Sequence, residues 1–296
     1  MDSLKEKIDT SRNIKANSLN AYLISIKKLN EFITNKEFKN LDFLKNEKKV
    51  IEKLDTLKLT TQKNYLSAII VALSAYDDKY ESDLKTYRKK LEELNELYNS
   101  EQSKNEKSEK QGKNWVSLKE LRKVMNQYKN DLKERGSFNK SELSKKETDL
   151  MQRWVVSSLY LTDDNPPIRL DYGNMRIISE KNFDSLDKAE LKGNFLVVKN
   201  RATKRFSFGN YKTEKTYKQK EIKVGKKLNS VLNIWLKFNK KGGLLYDSKG
   251  NPMSSNGLGK YIKKTFAPTG KEITVNMLRH VFISEKFPVE KEDEKE

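Results

Sequence analysis

The chain contains no cysteine and only one histidine, His280. The first absence excludes disulfides, thiol nucleophiles and Cys-ligated zinc; the second removes the basis for a His-built metal site. No apolar run approaches the roughly 20 residues needed to cross a bilayer. The opening MDSLKEKIDT lacks the apolar core of a secretory signal. Phosphate-cradling glycine loops are missing as well. These absences lead to the expectation of a soluble, intracellular protein without a Cys- or His-built metal site.

What the sequence has in excess is positive charge. It carries 61 Lys and Arg against 42 Asp and Glu, a net charge of +19 over 296 residues. Such a surplus opposes compaction and favours a polyanionic partner. Nucleic acid rewards many basic contacts through counterion release. An AT-rich genome would produce the same lysine-rich surface without such a partner. The length implies two domains or one large one.

The first hundred residues follow helical spacing. In NSLNAYLISIKKLNEFIT, Leu19, Tyr22, Leu23, Ile26, Leu29, Phe32 and Ile33 recur on one face, with Asn17 or Ser18 as N-cap. A second helix is expected around Phe43–Leu57. A third, TTQKNYLSAIIVALSAY, places Tyr65, Leu66, Ile69, Ile70, Leu73 and Tyr76 together, and a fourth runs from Tyr80 to Tyr98. Four such helices predict a small bundle. Residues 99–114 contain no apolar side chain and read as a linker. A domain boundary is expected near residue 112, with domain one at 1–100, the linker at 101–113, domain two at 114–287 and a charged tail at 288–296.

The second domain reads as mixed. Ser117 with Glu120 forms a capping box, and Val116 and Leu121 are placed as its hydrophobic staple. Ser144 and Glu147 repeat the box before a helix through Leu159, which DDNPP ends because proline cannot continue a helix. NFLVVK, KRFSF and KEIKV read as three short strands with basic turns. Helices follow at Leu228–Phe238, Leu258–Phe266 and Met277–Phe287. The expected class is mainly α with a small antiparallel β-sheet. No internal repeat is present.

Three basic residues stand in unusual settings. Arg169 follows the proline pair, where a stiff corner fixes the start of a helix or turn whose free N–H groups favour a phosphate. Lys212 lies near the tip or early arm of a hairpin, where Lys204 or Lys215 could serve equally. Arg279 sits on the last helix beside His280.

In this order the residues resemble the tyrosine recombinase (integrase) family. NSLNAYLISIKKLNEF and TTQKNYLSAII resemble its helical, four-helix, SAM-like core-binding domain, and WVSLKELRKVM the opening of its mixed α+β catalytic domain. PPIRLDY resembles the segment with the first catalytic arginine, here Arg169. The YKT hairpin resembles the one with the catalytic lysine, here Lys212. NMLRH resembles the His-x-x-Arg box, with its arginine at Arg279. The wording PPIRLDYGNM and TVNMLRH is similar to members from large DNA viruses, virophages and eukaryotic mobile elements.

The resemblance implies DNA strand cleavage and rejoining through a phosphotyrosine, with no cofactor. Arg169 and Arg279 would clamp the phosphorus oxygens, and Lys212 would protonate the leaving 5′ oxygen. Two departures stand out. Asn276 occupies the first box position, where His or Lys is usual; His280, about 100° further round the helix, is expected to buttress the site or to substitute. Nothing after His280 is Tyr or Trp, so the nucleophile is missing. The chain is then a shortened enzyme, a relative that binds without cutting, or one that receives a tyrosine from another protomer. Double-stranded DNA is the expected partner, with a dimer or tetramer assembling on it and no membrane involved. Lys63 and Asn64, early on the third helix, are candidates for a major-groove approach, and Lys204, Arg205 and Lys215 for further DNA contacts. The alternatives are an inactive DNA-binding or regulatory relative and a basic DNA-packaging protein.

Overall fold

A computed structural model describes residues 1–12, 14–103, 109–165, 167–211 and 218–286. The chain divides into two compact units, Met1–Glu106 and Lys107–Glu296. Among the described residues, no helix is long and apolar enough to cross a membrane.

The first unit is helical: α1 Asp2–Ser11, α2 Ala16–Thr34, α3 Glu47–Asp55, α4 Leu59–Leu73 and α5 Glu81–Ser103. The four expected helices are α2 to α5, and α1 is an addition. It carries only Leu4 and Ile8 on its buried side, too short a pattern to stand out, yet both reach the core. Helix α4 is the centre. It buries Leu66, Ala68, Ile69, Val71, Ala72 and Leu73, and its small alanines let neighbouring helices approach. Tyr87 is fully buried because its hydroxyl donates to Leu44 O, 2.6 Å away. Its burial otherwise leaves a polar group unpaired, at a cost of about 1–3 kcal/mol.

The stretch expected as a linker is helical at both ends. Helix α5 runs to Ser103, and α6 spans Glu109–Asn114, with 104–108 outside the described residues. Glu, Lys and Gln are good helix formers even where nothing apolar holds them to a core.

The second unit opens with α7 Leu118–Glu134 and α8 Lys145–Leu161. Both predicted capping boxes are formed, at Ser117/Glu120 and Ser144/Glu147. Helix α8 is the hub, buried without interruption from Trp154 to Leu161. It stops at Leu161, ahead of the prolines, because Thr162 turns extended. The exposed end is not left bare: Arg122 donates to Leu161 O through both Nε and a terminal nitrogen.

The sheet has four strands in the order β1 Arg176–Ser179, β2 Asn194–Val198, β3 Lys204–Phe208 and β4 Lys220–Lys223. The three expected strands pair antiparallel, as β2–β3 and β3–β4. The sheet is nonetheless mixed, since β1 joins β2 in parallel. A parallel pair needs a crossover, supplied by α9 Glu180–Phe183 and the turns after it. Strand β2 is covered on both faces. Leu196 enters the main core, while Phe195 and Val197 pack on Phe183. Helices α10 Lys226–Phe238, α11 Ser255–Thr265 and α12 Val275–Lys286 complete the unit.

Candidate phosphate-binding site

Arg169 stands in an exposed bend between α8 and β1. Of the expected helix or turn, it is a turn that follows, at 171–174, so helix N–H groups contribute nothing. The bend is fixed from beneath instead. Tyr160, on the last turn of α8, donates its hydroxyl to Arg169 O at 2.8 Å. Its ring meets Tyr172 edge-on at 5.6 Å, and Tyr172 meets Phe206 of β3 at 5.1 Å. This aromatic stack joins helix, bend and sheet. On the other side, the turn after Arg169 lies against the start of α11. A Cβ on Gly173 would stand 2.5 Å from Ser255 N, so only glycine permits that approach.

Arg279 comes from α12, whose first turn is capped by Thr274 Oγ1 accepting from Met277 N. Met277, Leu278, Val281 and Phe282 anchor the helix in the core. At its far end Glu285 accepts from Leu118 N at 2.6 Å, and Lys286 pairs with Asp163 at 2.7 Å. Asp163 also receives Arg122 and Lys227. Lys286 and Arg122 hold its carboxyl well below the usual carboxylate range. The turn leading to Arg169 and the helix carrying Arg279 are therefore staked to one carboxylate.

The two arginines act on the same group. Asp171 is half-buried, and burial pushes its carboxyl up from the ordinary 3.8, opposed first by the charge of Arg169 and then by that of Arg279. Arg279 also acts on Tyr160, whose hydroxyl burial drives far upward. Arg279 Nε is buried and has no hydrogen-bond partner among the described residues. An unsatisfied buried donor costs about 1–3 kcal/mol, and a ligand oxygen would remove that cost. A guanidinium fork can hold two oxygens of a phosphate at once.

The remaining candidates divide sharply. Asn276 and His280 are exposed on α12. His280 makes no hydrogen bond among the described residues. Lys204, expected to touch DNA, is 2% exposed. Its ammonium donates to Arg201 O at 2.9 Å, Asn229 Oδ1 at 2.8 Å and Asn233 Oδ1 at 2.6 Å. Burial, then the charge of Arg201, lowers its pKa. It pins the β2–β3 turn to α10 and has no free donor to offer. Arg205, also expected on DNA, is occupied by Glu180 at 2.6 Å and Glu221 at 3.2 Å, with its guanidinium over Phe183. Lys63 lies with its ammonium 3.9 Å from the Tyr98 ring centroid, and Asn64 is exposed. Lys212 and Lys215 lie outside the described residues.

Asp171, Tyr160 and Asn194 are additions that sequence reasoning missed. The available signals were an acid two residues after Arg169 and a lone Asn heading the apolar run NFLVV.

No known protein family matches the chain, and no curated protein does. Solved structures that match include the crystal structure of XerA recombinase, at 11% identity and a TM-score of 0.36, over 96% of this chain and 83% of that one.

Proposed function

We propose that this chain binds double-stranded DNA and grips one backbone phosphate between Arg169 and Arg279, in the manner of a tyrosine recombinase. The observation that carries the reading is that Arg279 Nε is buried with no hydrogen-bond partner among the described residues; the charges of Arg169 and Arg279, both opposing the burial of Asp171, support it. The net charge of +19 supports a polyanionic partner.

In strand transfer, a tyrosine oxygen attacks phosphorus and negative charge grows on the non-bridging oxygens. Pre-positioned guanidiniums stabilise that charge. Arg169 and Arg279 have this role, and Lys212 is the proposed acid for the departing 5′ oxygen. Assembly into a dimer or tetramer on DNA belongs to the same reading.

A second reading, binding without cleavage, is favoured by the tyrosines. Tyr160 and Tyr172, which share the field of Asp171, are both buried, and burial raises both hydroxyl pKa values. Tyr160 is moreover committed to Arg169 O. Neither is placed as a nucleophile.

Titration of labelled duplex DNA with Arg169→Ala, Arg279→Ala and the exposed control Lys249→Ala tests the binding site. Loss of a charge-assisted contact of about 1.5–3 kcal/mol corresponds to a tenfold or greater drop for each arginine. Equal, small effects for all three variants would instead indicate diffuse, packaging-type binding. A nicked suicide duplex separates the two readings: a denaturant-resistant adduct supports cleavage, and its absence with intact binding supports the binder.

A further inference from the structure

Asn194 opens β2 and is 8% exposed. Its backbone pairs with Phe208 of β3. One residue further on, Gly209 N donates to Gly193 O at 2.9 Å. A Cβ at Gly209 would come within 1.9 Å of Leu191 O, so the approach admits glycine alone. The chain then leaves the ladder. Asn210 would lose both its strand partners there, and the Asn194 side chain replaces them. Asn194 Oδ1 accepts from Asn210 N at 2.9 Å, and Nδ2 donates to Asn210 O at 2.9 Å. The second Nδ2 hydrogen goes to Asp171 O, also at 2.9 Å.

One amide therefore joins the bend carrying Arg169 to the point where the β3–β4 connection departs. The base of that connection is closed on its other side. Tyr211 donates its hydroxyl to Lys218 O at 2.6 Å, and Gln219 donates to Ser207 Oγ at 2.6 Å. Both hydrogens and the oxygen of the Asn194 amide are used, in a pattern that only a planar amide at this reach supplies. An aspartate has the same shape, but its carboxylate would face two carbonyl oxygens with no hydrogen to give.

We propose that Asn194 is a positioning residue for phosphate binding: it sets where the Arg169–Asp171 bend stands, and Arg169 reaches its phosphate only from that position. The inference rests on the reading that Arg169 and Arg279 bind a DNA phosphate. The amide touches backbone alone and makes no contact with DNA itself, so its influence passes through Arg169.

The test is a double-mutant cycle on duplex DNA affinity with the full chain, using wild type, Asn194→Asp, Arg169→Ala and the double variant. Asn194→Asp removes both donated hydrogen bonds and should weaken binding at least about fivefold, the equivalent of one net hydrogen bond. In the Arg169→Ala background the same change should cost no more than about twofold, because the group it positions has gone. A general structural role predicts equal losses in both backgrounds, and that result, or no loss at all, overturns the inference. The new carboxyl also gives a pH signature. Burial raises its pKa, and protonation restores one donor, so the loss should shrink as pH falls relative to wild type. If Arg169→Ala and Arg279→Ala themselves behave like Lys249→Ala, the site reading fails and takes this inference with it. If they are impaired while Asn194→Asp is additive, only the inference fails. Should Asn194→Asp not fold, Asn194→Ser, whose hydroxyl keeps one donor and an acceptor, runs the same cycle with the same two outcomes.

Discussion

Two pairs of cations in the second unit have opposite surroundings. Lys204 and Arg205 are adjacent on β3, and both are saturated: one by backbone and asparagine oxygens, the other by Glu180 and Glu221. Arg169 and Arg279 come from separate elements, and Arg279 keeps a buried nitrogen without a partner among the described residues. All four are basic residues in a basic chain, and sequence treats them alike. Unfilled donors at a fixed place distinguish a binding cation from a structural one. A buried lysine with a full set of acceptors has no hydrogen left for a phosphate, and moving it out would strand the two asparagine oxygens.

This contrast can be broken most forcefully at the saturated pair. Lys204→Met fills similar volume but leaves the side-chain oxygens of Asn229 and Asn233 without their shared donor, while Arg201 O keeps the two asparagine amides. Urea unfolding should show a loss of about 1–3 kcal/mol, with DNA affinity within about twofold of wild type. A large affinity loss with unchanged stability would reverse the roles of the two pairs.

Asp171 sharpens the contrast from the other side. Its folded-state pKa is raised above the ordinary 3.8 by burial. The folded protein thus holds this proton more tightly than the unfolded chain does. The cost of ionising it in place is absent below the unfolded value and develops as pH rises through the folded one. Asp171→Asn removes that cost. Its stability relative to wild type should therefore improve from acidic to neutral pH. An advantage that is constant or shrinks with rising pH would show that Asp171 is held by a partner, not penalised by burial.

The smallest effect belongs to the first unit. Lys63→Ala removes one ammonium that already rests on Tyr98. If it contacts a phosphate, the salt dependence of DNA binding should lose about one unit of slope, with affinity falling only a few-fold. An unchanged slope would remove Lys63 from the interface.

The legible parts of the fold were those written in local spacing. Helices α2 to α5 follow from apolar residues every three or four positions, and the boxes at Ser117 and Ser144 mark α7 and α8 to the residue. Strands β2 to β4 were readable from β-branched and alternating runs. The illegible parts depend on distant partners. Strand β1 is four residues long and exists through its parallel pairing with β2. The fate of Lys204 is decided by asparagines 25 and 29 positions later. Arg169 and Arg279 could be picked out by their flanking residues, but Asp171 as their common neighbour could not, because it takes the fold to bring α12 to the bend after α8. The exposure of His280 was equally illegible, because only the fold shows that the Met277, Leu278, Val281 and Phe282 side of α12 is the covered one.

The central claim is that two arginines 110 positions apart in sequence, at 169 and 279, share one phosphate. The most direct measurement is duplex DNA affinity for Arg169→Ala, Arg279→Ala and the double variant at one salt concentration. A shared phosphate predicts strong coupling, with the double variant losing little more than the worse single one. Fully additive losses would mean that each arginine binds its own phosphate, and would contradict the account.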